Sequence, residues 1–139
     1  GLKQLVRMED MQTRRLAIAA RYQEAFGEMD ALDIPFVPEY TRHCWHLYVL
    51  RLVPERLAID RDQFLEELQA RNVGVSVHFI PVHLMSAYQK RLGCREGDFP
   101  QAEKHFDRIL SLPLYPTMTD EQGDYVIAAV TDIVETYHK

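Results

Sequence analysis

The chain has 139 residues, 47% hydrophobic and 27% charged, with a formal net charge of -5. That length supports one core and one domain, and the acidic balance, with no Lys/Arg run, excludes a broad surface for nucleic acid or anionic membrane. No apolar run approaches the roughly 20 residues of a bilayer-spanning helix and no signal-peptide-like stretch opens the chain, so it reads as cytoplasmic.

In chain order, Met11, Ile18, Tyr22, Ala25, Met29 and Leu32 recur at helical spacing, with Leu5 and Met8 extending the stripe backwards. A long first helix is expected over residues 1–32, with Arg14 and Arg15 on a solvated face or facing a neighbouring domain. Gly1 to Leu5 hold no Ser, Thr, Asp or Asn to cap it, which fits a frayed terminus or a chain continued upstream. Pro35 and Pro38 make Asp33 to Tyr40 an extended connector.

Cys44 to Val53 alternates as a strand, apolar on both faces, with Cys44, His46 and Tyr48 pointing one way. His46 reads there as a core group, and Trp45 and Tyr48 as packing residues. His43 and His46 have metal-ligand spacing but would lie on opposite faces of a strand, so no metal site is expected. Cys44 and Cys94 form no Cys-x-x-Cys pair and read as buried or incidental thiols. Asp60 with Gln63 has capping-box spacing before the apolar face of Phe64, Leu65 and Leu68. A short helix there leads into a second strand.

That second strand is Val73 to Phe79, where Val73, Val75, Val77 and Phe79 alternate with smaller or polar residues until Pro81 forces an exit. His78 and His83 flank the exit, and strand ends in α/β proteins commonly carry binding groups. They are the two candidate substrate-binding residues. Leu84 to Leu92 suits a helix, Gly93 to Gly97 a loop, and Asp98 with Pro100 a further helix start, with Ala102, Phe106 and Ile109 at helical spacing. Leu110 to Tyr115, limited by Pro113 and Pro116, fits a brief edge strand. Thr119 with Gln122 is a second capping box, opening a final helix through Val126, Val130, Ile133 and Tyr137. The expected fold class is α/β: a small antiparallel or mixed sheet of about three strands, packed with helices.

Several short motifs in this order resemble one family. Gly1-Leu2-Lys3-Gln4-Leu5, Arg15 with Ile18, Ala19 and Tyr22, and Trp45-His46-Leu47-Tyr48 with Arg51 come first. His78-Phe79-Ile80-Pro81-Val82-His83, Gly97-Asp98-Phe99-Pro100 with Ala102-Glu103, and Leu110-Ser111-Leu112-Pro113-Leu114-Tyr115-Pro116 follow. Together they resemble the C-terminal region of the DegT-type nucleotide-sugar aminotransferases, enzymes of the aspartate-aminotransferase fold (fold type I) that use pyridoxal phosphate (PLP).

The resemblance implies a small C-terminal domain, with residues 1–32 as a linking helix and 33–139 as the α/β body, and with the large PLP-binding domain absent. It begins downstream of the family's Schiff-base lysine, so Lys3, Lys90, Lys104 and Lys139 are not expected to hold PLP, and the chain alone is expected to be inactive and cofactor-free. For the whole enzyme, the resemblance implies a homodimer that takes an amino-acid donor and a nucleotide-sugar as substrates. His78 and His83 would then donate hydrogen bonds to sugar or diphosphate, an imidazolium adding attraction for the anion. Glu103, Arg108 and Tyr115 lie in matching motifs, but helix start and strand termination account for them. Two other readings stay open: a fragment of a related PLP sugar dehydratase, and a free-standing, non-catalytic binding module.

Overall fold

The computed structural model describes residues 1–139. Its elements are α1 (Leu2–Val6), α2 (Met8–Phe26), β1 (Leu32–Asp33), β2 (Tyr48–Leu52), α3 (Arg61–Ala70), a 3-10 turn (Val82–Leu84), α4 (Ser86–Leu92), α5 (Pro100–Phe106), β3 (Ile109–Leu112) and α6 (Asp120–Tyr137). The three strands form one antiparallel sheet in the order β1, β2, β3. No helix is long and apolar enough to cross a membrane.

Both capping boxes form. Asp60 and Thr119 each accept the backbone N–H three residues on, while Gln63 and Gln122 reach back to the capping residue's own N–H. These four bonds satisfy amides that the first helical turn leaves without partners. Behind the caps, Phe64 and Leu68 of α3 and Val126, Val130 and Ile133 of α6 are buried with Ile18, Tyr22 and Phe26 of α2 and with Tyr48, Leu50 and Leu110 of the sheet. Each such side chain contributes roughly 1.5–3 kcal/mol on leaving water.

Several sequence expectations are corrected. The first helix is interrupted at Arg7 and ends at Phe26, and every residue of α1 is exposed. Arg14 is not on a solvated face: its Nε and Nη2 donate to the Met118 carbonyl at 2.9 and 2.6 Å, and Nη2 lies 2.6 Å from Asp120 Oδ1. It ties α2 to the start of α6. The second segment begins as a strand only at Tyr48, because Trp45 takes a left-handed backbone (φ 44°) that swings its indole into the core, stacked 5.5 Å from Tyr48. That turn leaves His46 exposed rather than in the core. Only one face of β2 is fully covered, with Tyr48, Leu50 and Leu52 buried and Val49 and Arg51 partly exposed. Ile109 belongs to β3, not to the helix before it.

Val73 to Phe79 runs beside β3 but pairs with it at one point only, Ser76 with Ser111. Ser111 N–H donates to Ser76 at 2.8 Å, and Ser76 N–H to Ser111 at 3.4 Å. In an antiparallel ladder the next bonded pair on one side would be Gly74 with Pro113, and proline has no N–H to give. So β3 lies between β2 and this segment instead of forming a bare edge.

Candidate functional site

From Gly74 to Ile109 the chain forms an arm on the outside of this core. Within it only one residue is buried, and it is His83. The 3-10 turn that follows Pro81 carries the imidazole inward, where α5 meets it.

Glu103, in the first turn of α5, makes the connection: its Oε1 lies 2.7 Å from His83 Nε2. The same carboxylate accepts the Gly97 N–H, at 2.9 Å through Oε1 and 3.0 Å through Oε2. Gly97 sits at φ 91°, a conformation that a side chain would strain, so glycine is required for the loop to present that amide. The Phe99 ring packs 4.8 Å from the imidazole. The hydrogen bond from His83, with further help from the amides of Gly97 and Phe99, holds the Glu103 carboxyl below the usual carboxylate range.

His83 forms part of the wall of a cavity of about 390 Å³ whose other walls include Val82, Tyr88, Leu92, Phe99 and Cys94. A buried imidazole in a mostly apolar wall gives such a cavity a fixed directional group, the arrangement in which a polar contact sets a ligand's orientation while area supplies the affinity. A larger cleft of about 540 Å³, between the α3–Val73 turn and α6, is lined by Tyr115, Glu121 and Tyr125 but by neither histidine.

His78 is held elsewhere. Its Nδ1 lies 2.9 Å from the hydroxyl of Ser111 on β3, and Ser76 Oγ is 3.4 Å from the ring. The two candidate histidines thus share no hydrogen-bond partner, although only four residues of chain separate them in one exit loop. Cys44 is exposed and Cys94 partly so.

Glu103 is the residue that sequence reasoning passed over. A glutamate in the first helical turn has an obvious local role only when it sits three residues after a Ser, Thr or Asp cap. Here the cap is Phe99, which has no side-chain oxygen, and Glu103 is one position too late. A carboxylate without local work is the signal that could have pointed to a distant partner. Arg108 lies 3.8 Å from Glu55, and the Tyr115 hydroxyl donates to Gln122 at 3.3 Å.

Lys3, Lys90, Lys104 and Lys139 are all exposed, and none lines either cavity.

Residues 1–131 match the model of the DegT/DnrJ/EryC1/StrS aminotransferase family. The spore coat polysaccharide biosynthesis protein SpsC of Bacillus subtilis (strain 168) is 50% identical over 136 residues, which is 97% of this chain and 35% of that protein. Among solved structures, DesV of S. venezuelae superposes with a TM-score of 0.84 at 31% identity, covering 94% of this chain and 34% of DesV. Spr1654 of Streptococcus pneumoniae, solved in its PLP form, gives a TM-score of 0.87 at 29% identity, covering 98% of this chain and 34% of that one. The chain therefore spans about a third of the length of the relatives it matches, and it belongs to the DegT/DnrJ/EryC1/StrS aminotransferase family.

Proposed function

We propose that this member of the family is the C-terminal domain of a PLP-dependent aminotransferase that passes an amino group to a nucleotide-linked ketosugar. Residues 1–32 join it to a larger PLP-binding part that carries the Schiff-base lysine, and residues 33–139 cover the active-site cleft of a homodimeric enzyme. PLP supplies the electron sink for moving the amino group. This chain's contribution is to bind and orient the sugar substrate through His83 and His78, and to exclude water from the cleft.

The observation that carries this reading is the arm itself. It buries one residue, a histidine, and exposes Phe79, Ile80, Val82, Leu92 and Phe99 around it. Exposed apolar side chains beside a cavity with a buried imidazole in its wall suit a face that closes on something.

The test uses the full-length enzyme. His83→Ala and His78→Ala should each raise KM for the nucleotide-sugar by roughly tenfold, about one hydrogen bond, while the half-reaction with the amino donor, followed by the cofactor's visible absorbance, stays unchanged. Equal losses in both half-reactions, or none in either, would overturn the reading. Treating the chain alone with PLP and borohydride should leave no stoichiometric label; one specifically labelled lysine would show that the anchoring amine lies within it.

A further inference from the structure

We infer that Glu103 is a positioning residue: it fixes His83 as the tautomer with its proton on Nε2, so that Nδ1 faces the cavity as an acceptor for a ligand hydroxyl. An ionised carboxylate can only accept, so the ring nitrogen 2.7 Å from Oε1 must be the one that carries hydrogen. The carboxylate is itself immobilised by Gly97 N–H and by the start of α5, and the Phe99 ring limits rotation of the imidazole. His83 and Glu103 side chains are 7% and 17% exposed, so water competes weakly for the bond.

The opposite nitrogen is left free. Nδ1 has no protein partner, yet it is not among the polar atoms sealed from solvent without a hydrogen bond, such as Arg15 Nε and Tyr48 Oη. With Nε2 turned to Glu103, Nδ1 is the ring nitrogen that His83 has left to offer to the cavity it helps to line. A neutral imidazole with its proton on Nε2 has an acceptor lone pair at Nδ1, which matches an O–H donor and repels a phosphate oxygen. Protonation would not turn the site into an anion trap, because the adjacent Glu103 charge offsets the imidazolium. Hence the sugar ring, not the diphosphate, is the part of the substrate that this atom suits.

The choice of ligand group rests on the function proposed above, whereas the tautomer is measured without any ligand, so the two can fail separately. In the 15N-labelled chain at alkaline pH, where imidazole is neutral, two-bond proton–nitrogen correlations should place His83 Nε2 in the proton-bearing range and Nδ1 in the proton-free range. Glu103→Ala should move both nitrogens to intermediate shifts as the tautomers exchange, while Ser111→Ala should change His78 alone. A proton on Nδ1 in the unsubstituted chain overturns the inference, as does an unaltered His83 pattern in a folded Glu103→Ala chain. If that variant does not fold, the spectrum of the unsubstituted chain decides by itself.

Discussion

The core and the arm are built on different physics. Of the 26 buried residues, His83 alone lies between Gly74 and Ile109. The core gains its stability from apolar area shared among α2, α3, α6 and the sheet, a cooperative arrangement in which loosening one side chain loosens its neighbours. The arm gains its shape from short-range hydrogen bonds: Gly93 N–H to the Gln89 carbonyl at 2.9 Å, Arg95 N–H to Asp98 at 2.7 Å, and Glu103 to Gly97 and His83. Such a region opens locally at lower free energy than the whole domain unfolds. The scaffold is thus rigid where it must hold position, and adaptable where the proposed ligand arrives.

The difference can be broken from the core side first. Phe64→Ala removes a fully buried ring and should lower global stability by about 3–5 kcal/mol, with core and arm signals lost in one denaturant transition. Thr119→Ala removes one capping oxygen from α6 and should cost about 1 kcal/mol in the same experiment. Acid should separate the two regions. A carboxyl held below its ordinary value, as Glu103 is, contributes stability that is complete above the ordinary pKa near ~4.3 and is lost as pH falls through the folded-state value. Hydrogen exchange should therefore show the Gly97 amide losing protection below about pH 4 while the amides linking β2 and β3 remain protected; simultaneous loss would mean that arm and core are one unit. The smallest effect belongs to Leu92→Ser. At 66% exposed it should change global stability by less than about 0.5 kcal/mol, with any consequence appearing as substrate KM in the full-length enzyme.

The local chemistry of the sequence is recovered best where a backbone bond needs a particular side chain nearby. Asp60 with Gln63 and Thr119 with Gln122 are capping boxes in sequence and in structure, Pro100 opens α5, and Gly93 closes α4 in a left-handed conformation. The helical stripe of α6 is equally legible, since Val126, Val130 and Ile133 all point inward. Strand lengths were less legible. The alternation of Val73 to Phe79 is genuine, but its pairing depends on a residue 39 positions away, Pro113, whose missing N–H halts the ladder. Trp45 shows the same limit: its left-handed backbone is stabilised by a stack on Tyr48 and by His43 Nδ1 accepting its N–H at 3.0 Å.

By itself the sequence determined the helix caps, the α/β class, the family and the two histidines worth testing, because each rests on residues adjacent in the chain or on a recurring order of motifs. The tertiary structure alone decided what each imidazole can do. It set Glu103 against His83 and Ser111 against His78, partners 20 and 33 residues away. A carboxylate accepts only, whereas a hydroxyl both donates and accepts, so one ring is given a fixed proton and the other is left free to choose.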